Sequence, residues 1–382
     1  MTDDRKLYWS CFYSFFYCGI VMITIGSALP DLREYYGLTA SSSGALLSCY
    51  SLGNLASGII TGFLSLYLGQ KFAAVILSSL VWAGMLMLTG GHVVALLFGA
   101  CFIVGVGRGS LITFSQRTIN ILTDGNTRAT GLLHATFAVG AIISPLMFSA
   151  LRVISWKAGI ILVAVLGVMA TLSFIAIKDY SRLEGSDKSG GNSDRSLSFF
   201  RDSGFIVIAC LMFLYLCCEF ALNGWIVTYM THKNMPLSFS HLMASLLWVV
   251  MLLGRLFCVW LAKYVRQRVI LLALSAGSAL SFGLMLMAEG APGISLTVAL
   301  TGFFMSGISP IIYGSSAPYT NKYPLAMGML FTIGCTGGTI MPLITGVIAE
   351  NWGFDGGMSA ILAGFMMLLV FAVINMKRRD AE

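Results

Sequence analysis

Twelve apolar runs long enough to cross a bilayer dominate this chain, and no other feature narrows its folding options as far. They fall near residues 7–29, 42–67, 73–89, 93–118, 128–151, 157–178, 203–230, 239–263, 268–288, 293–317, 324–349 and 355–376. A hydrocarbon core of about 30 Å is crossed by about 20 helical residues. Within it, every backbone N–H and C=O must find a partner in the protein, which leaves helices or closed barrels. The runs are too long for barrel strands, so the sequence predicts an all-α membrane protein. Twelve spans use about 240 of the 382 residues, and no sizeable soluble domain fits beside them. Composition agrees: 57% of residues are hydrophobic and only 10% charged, against about 25% charged in soluble domains.

One long polar stretch interrupts the pattern, KDYSRLEGSDKSGGNSDRSLSFFRDS between spans six and seven. Its Ser, Gly and mixed charge read as a flexible linker. It divides the chain into an N-terminal six-helix bundle over 1–178, a linker over 179–202 and a C-terminal six-helix bundle over 203–382. If both ends and the linker are cytoplasmic, 17 of the 23 Lys and Arg fall on that side, four on the other, and Arg108 and Arg255 inside spans. This asymmetry sets the expected orientation in a cell membrane. The halves also repeat in parallel. Phe15, Tyr17 and Gly26 match Phe213, Tyr215 and Gly224, and Gly140-Ala-Ile-Ile-Ser-Pro145-Leu matches Gly337-Gly-Thr-Ile-Met-Pro342-Leu at almost the same offset. Two parallel six-helix repeats are one transporter architecture, with the substrate site at the repeat interface near the midplane.

Several function classes drop out. The formal charge of +7 comes from short basic clusters between apolar runs, which are topology signals, so no nucleic acid partner is expected. The nine Cys lie in apolar stretches without metal or disulfide spacing, and neither a metal nor a cofactor is expected. Gly-Lys occurs nowhere, so a phosphate cradle for ATP is missing. Gly105-Val-Gly107-Arg-Gly109 lies inside span four with no strand before it and reads as close helix packing. With no HExxH, GxSxG or paired carboxylates within a span, the chain is expected to be a solute carrier and not an enzyme.

Ionisable groups at membrane depth are the best functional pointers, because each is costly there unless it faces a cavity or a partner. Three lie deep: Arg108, Glu219 and Arg255. Glu219 is the single carboxylate well inside a span, and Tyr215, Glu219 and Asn223 recur at intervals of four on one face of span seven. In the first half the stripe is Tyr13, Tyr17 and Thr24, with Val21 at the Glu219 position. Glu219 is therefore the expected proton site. An acid in a low-dielectric cavity has its charged form disfavoured, which moves proton exchange toward neutral pH. Arg108 pairs with Glu219 in one scheme and only ties helices together in another. Arg255 reads as a gate or structural pair.

The ordered motifs resemble the major facilitator superfamily, and within it the fucose, galactose and glucose:proton symporters. They are IGSALPDLREYYGLT after span one, CYSLGNLASGIITGFLSLYLG in span two, GVGRGSLITFSQ in span four, LLHATFAVGAIISPL in span five, YLCCEFALNGWIVTY in span seven and TGGTIMPLITG in span eleven. The resemblance implies alternating access by rocking of two halves, with spans one, four, seven and ten lining the cavity. It also implies that Glu219 is the span-seven acid, Gln116 the span-four amide and His134 the histidine opening span five, a gating or structural position. The superfamily's loop motif after span two is altered: both its acid and its arginine are replaced between Gly62 and Lys71.

Sugar binding needs rings for the apolar face and amides or hydroxyls for the oxygens. Tyr17, Tyr215, Trp225 and Tyr313 supply rings, and Gln116, Asn223, Ser306 and Thr332 supply hydrogen bonds, with Arg108 as the polar anchor. The expected function is proton-coupled symport of a sugar or similar small polar solute by a monomer in the bilayer. Two alternatives stand: an organic-anion carrier built on Arg108, and a drug or metabolite exporter exploiting 21 Met and 25 Phe.

Overall fold

The computed structural model describes residues 3–91, 93–123, 127–181, 183 and 201–378. Among them the structure is helical, without strands. The first six helices are α1 Asp3–Tyr36, α2 Ala40–Leu68, α3 Gln70–Leu88, α4 Val94–Leu122, α5 Thr127–Arg152 and α6 Trp156–Ile175. After the linker come α7 Ser203–His232, α8 Leu237–Leu261, α9 Gln267–Met287, α10 Gly290–Met305, α11 Ile308–Ser315, α12 Ala317–Lys322 and α13 Pro324–Lys377. Among the described residues eleven stretches are long and apolar enough to cross a membrane. The last of them bends at Trp352 and Gly353, where Gly353 has φ 78°. Glycine enters that region without a Cβ penalty, and the bend separates the two spans expected at 324–349 and 355–376.

Span ten, expected as one helix over 293–317, is broken between α10 and α11. The cause is local. Pro310 has no N–H, so the carbonyl of Ser306, four residues earlier, loses its helical donor. The chain passes through turns at Ser306 and Gly307, both still in the right-handed helical region, before α11 begins with Pro310 in its first turn, where the missing N–H does least harm.

Contacts divide the chain into two compact units, residues 1–38 with 45–191, and residues 39–44 with 192–382. Of the linker read over 179–202, residues 182 and 184–200 lie outside the described residues. Its beginning is docked, with Tyr180 and Leu183 buried and the Tyr180 hydroxyl donating to the Phe174 carbonyl at 3.0 Å. That apolar pair covers enough surface to hold a segment whose composition otherwise reads as coil.

The sequence repeat reappears as repeated packing inside each unit. In the first, a methyl group on Gly140 of α5 would collide with the Phe16 carbonyl of α1; in the second, one on Gly337 of α13 would collide with the Phe213 carbonyl of α7. Gly105 of α4 meets the Tyr50 carbonyl of α2, just as Gly302 of α10 meets the Leu247 carbonyl of α8. Small residues let helix backbones approach closely where lipid supplies no hydrophobic drive for association. Spans one, four, seven and ten are the most enclosed, with 83, 61, 78 and 56% of their most apolar window buried, against 50% or less elsewhere. Peripheral helices carry outward apolar rows such as Ile59, Phe63 and Leu66 on α2 and Leu253, Leu256 and Trp260 on α8, as a lipid-facing surface requires.

Candidate functional site

The deep ionisable residues organise two polar clusters, one in each unit. In the first unit, α4 brings Arg108 inward between Gly107 and Gly109. Gly105 and Gly109 lie against α2, and Gly107 against Leu77 and Val81 of α3. The glycine run is thus a packing surface, as its position inside a span suggested. The close approach of α2 lets the Asn54 side-chain oxygen accept from Arg108 Nη1 at 3.0 Å. Arg108 Nε donates to the Cys18 carbonyl of α1 at 3.2 Å. The Cys18 thiol in turn donates to the Arg108 carbonyl at 3.6 Å. The guanidinium carbon lies 5.9 Å from the Tyr50 ring centre and 5.6 Å from that of Phe137. Arg108 is 4% exposed, and among the described residues no carboxylate forms an ion pair with it. Its hydrogen bonds therefore run to α1 and α2 of its own unit.

In the second unit, α7 is enclosed nearly all round, and the Tyr215, Glu219 and Asn223 stripe is buried along its length. The Tyr215 phenol has both the Glu219 carboxylate and the Arg255 guanidinium in electrostatic reach, yet its buried hydroxyl makes no hydrogen bond of ordinary geometry. Tyr313 of α11, half-buried, also feels the Glu219 charge. Asn223 donates to the Glu219 carbonyl at 2.8 Å and accepts from Trp248 Nε1 of α8 at 3.0 Å. Arg255, one helical face along α8, lies over the Trp248 ring at 5.9 Å. Its Nε donates to the Ser306 carbonyl at 3.3 Å. That carbonyl is the one Pro310 leaves without a helical donor, so Arg255 repairs the broken span while facing Tyr215. A backbone carbonyl without its helical donor is tolerated at membrane depth only where the protein or a cavity supplies a partner.

The sequence candidates thus separate by position. Tyr215, Glu219, Asn223, Arg255, Ser306 and Tyr313 converge in the second unit. Trp225 is turned elsewhere, donating to the Pro342 carbonyl at 3.2 Å and packing edge-on to Phe354. Thr332 is exposed on α13. In the first unit Tyr17 is fully buried, with its hydroxyl in the gap left by Gly167 of α6. Gln116 is half-buried on α4, and His134 is exposed on α5, edge-on to Phe15 at 5.4 Å. The remainder of the α1 stripe serves packing: Tyr13 donates to the Leu166 carbonyl at 2.9 Å, and Thr24 meets Ser144 of α5 at 3.0 Å.

Four residues that sequence reasoning passed over complete the clusters: Tyr50, Asn54 and Phe137 around Arg108, and Trp248 between Asn223 and Arg255. Asn54 carried a usable signal, an amide in the middle of an apolar run. The three rings did not, because aromatic residues are plentiful in every span.

Residues 11–318 match the Major Facilitator Superfamily. The chain is 20% identical to the Protein TsgA homolog of Buchnera aphidicola subsp. Schizaphis graminum, over 99% of this chain and 98% of that protein. It is 22% identical to Protein TsgA of Escherichia coli O157:H7, over 92% and 91% of the two chains. The fold is similar to the crystal structure of the nucleoside transporter NupG, with a TM-score of 0.79 at 14% identity over 99% of this chain and 100% of that one. With the family match spanning most of its length and the two-unit helical architecture in agreement, the chain belongs to the Major Facilitator Superfamily and is a multi-pass membrane transporter of a small molecule.

Proposed function

We propose that this chain is a secondary active transporter that moves a small polar solute together with a proton by alternating access. One observation supports it above the others: Glu219, the lone carboxylate inside a span, is buried at 7% exposure beside Tyr215, with Arg255 facing the same phenol. A charge buried at that depth is kept for a purpose that offsets its cost. Glu219 takes up and releases the proton in this reading as the surroundings of Tyr215 rearrange between the two access states. The sugar-type solute implied by the motif resemblance would draw, in the second unit, on the rings of Tyr215 and Tyr313 and the amide of Asn223. Both ends and the linker lie on the cytoplasmic side of the inner membrane in this reading, following the distribution of Lys and Arg.

The test is uptake into proteoliposomes under an imposed pH gradient. Wild-type protein accumulates solute when the outside is acidic, whereas Glu219→Gln equilibrates it without concentrating it. Accumulation by Glu219→Gln with unchanged pH dependence overturns the proposal. A second reading, an organic-anion carrier, is favoured by Arg108, with which no carboxylate among the described residues forms an ion pair.

A further inference from the structure

Glu219 and the break in span ten share one side chain, Arg255, and helix register shows how. A short link, residues 233–236, joins α7 to α8, so the two helices run antiparallel. Trp248 Nε1 donates to the Asn223 side-chain oxygen at 3.0 Å, which fixes one helix against the other. From that bond Tyr215 lies two turns back along α7 and Arg255 two turns on along α8, about 12 and 10.5 Å at 1.5 Å per residue. Arg255 is thus level with Tyr215, and Glu219 lies between Tyr215 and Asn223 on the same face of α7. The guanidinium rests over the Trp248 ring at 5.9 Å, and the Tyr215 phenol feels the charges of both Arg255 and Glu219. The titratable and charged groups gathered around Glu219 in the second unit are Tyr215 on its own helix, Arg255 on α8 and Tyr313 on α11, with Cys335 of α13 beside Tyr313. At its other edge the Arg255 head holds span ten, through Nε on the Ser306 carbonyl at 3.3 Å. α8 is shaped to receive that turn. A methyl group on Gly254 would collide with the Ser306 hydroxyl, and one on Gly307 would collide with the Cys258 thiol.

We infer that Arg255 transmits the charge state of Glu219 to the break in span ten, so that α11 is held while the acid is ionised and released when it is neutral. The inference rests on the proton reading proposed above and adds how the proton is coupled to movement. A guanidinium is rigid and planar, so a shift of its outer edge relative to Tyr215 and Glu219 also moves Nε at Ser306. With Glu219 negative, the Arg255 head is drawn toward Tyr215 and Nε stays on the carbonyl. With Glu219 neutral that attraction is gone, and the carbonyl freed by Pro310 loses the donor that closes the turn. α11 then hinges at Ser306 and Gly307 and carries Tyr313 with it, a motion absorbed by a few residues at an element end. Arg255 is a positioning residue in this scheme, because it acts through Tyr215 and the backbone of span ten.

The experiment is amide hydrogen exchange of residues 306–316 in the full chain, in detergent and without solute, from about pH 6 to 9. Wild type and Glu219→Gln are compared at each pH, so intrinsic exchange rates cancel. At high pH, Glu219→Gln is expected to exchange about tenfold faster than wild type, the change that loss of one contact to a charged group gives in a local opening equilibrium. The gap should close as pH falls and the wild-type acid takes up its proton. Glu219→Asp keeps the charge and should stay near wild type. Arg255→Leu should exchange fast whether Glu or Gln stands at 219. If Arg255→Leu fails to fold, Pro310→Ala takes its place: with an N–H restored at the Ser306 carbonyl, the segment should exchange slowly with either residue at 219.

The inference is overturned if wild type and Glu219→Gln exchange equally across the pH range, if the effects of Glu219→Gln and Arg255→Leu add, or if Pro310→Ala leaves the gap at full size. Uptake under a pH gradient judges the underlying reading separately. Accumulation driven by pH and lost in Glu219→Gln, with no exchange gap, keeps the proton step and refutes the link through Arg255. An exchange gap with uptake indifferent to the pH gradient keeps the link and refutes the proton step.

Discussion

Replacing Arg255 by leucine tests the break in span ten, because the structure assigns that side chain a partner the helix cannot supply. Pro310 removes the N–H that would bond the Ser306 carbonyl, and Arg255 Nε takes its place at 3.3 Å. Arg255→Leu leaves the carbonyl unsatisfied, at about 1–3 kcal/mol for a buried acceptor. For a cooperative unit of roughly 150–250 residues, each kcal/mol shifts Tm by about 2–4 °C, so the variant should melt about 2–12 °C lower in detergent. Pro310→Ala restores the N–H at the required position. In that background the carbonyl has its own donor, and Arg255→Leu should cost at least about 1 kcal/mol less than it does alone. The double-mutant cycle cancels the effect of Arg255 on Tyr215 and Glu219, which both backgrounds share. Additivity within about 0.5 kcal/mol, the scatter of independent sites, would falsify the claim that Arg255 holds the break closed.

Further expectations follow from close packing and from polar contacts near the helix ends. Gly140→Ala drives a methyl group into the Phe16 carbonyl, whereas Gly131→Ala on the same helix meets nothing within 4 Å; the first should cost about 1–3 kcal/mol and the second should be neutral or stabilising by up to about 1 kcal/mol, as read from melting of the purified proteins. Asp31, buried at the end of α1, pairs with the partly exposed Arg152 at 2.8 Å; Arg152→Ala should destabilise by about 1–3 kcal/mol, chiefly by stranding the carboxylate, and Asp31→Asn in that background should recover part of the loss. The Asp3 carboxylate accepts from Lys6 Nζ and from the backbone N–H groups of Lys178 and Asp179, and these bonds hold its pKa below the ordinary value. With 34 residues, α1 is about 51 Å long at 1.5 Å per residue, longer than the hydrocarbon core, so this turn stands in water. A depressed pKa means the stabilisation is complete above the unfolded value and fades as pH falls through the folded one. Amide exchange at Lys178 and Asp179 should therefore stay protected at pH 5–7 and rise in Asp3→Asn at those same pH values; equal protection in the variant would show that the contact is incidental.

Lipid makes a sequence unusually informative about fold. Backbone groups at membrane depth have no water to turn to, so each long apolar run had to become a helix, and the runs alone determined the all-α architecture, the two related halves and the depth of Arg108, Glu219 and Arg255. The repeat at Gly140 and Gly337 was legible for the same reason, since both positions mark backbone approach where no side chain fits. Which polar groups meet was decided only by tertiary structure. Helical spacing put Tyr215, Glu219 and Asn223 on one face, but the partners on that face, Trp248, Arg255 and the carbonyl freed by Pro310, come from helices distant in sequence. Likewise Tyr17 and Trp225 read as binding residues by type, and the fold turned one into the Gly167 gap and the other toward Pro342. Sequence spacing fixes directions around a single helix axis, whereas contacts between helices depend on crossing points set by glycines and on a broken span, and those emerge only when the helices are packed together.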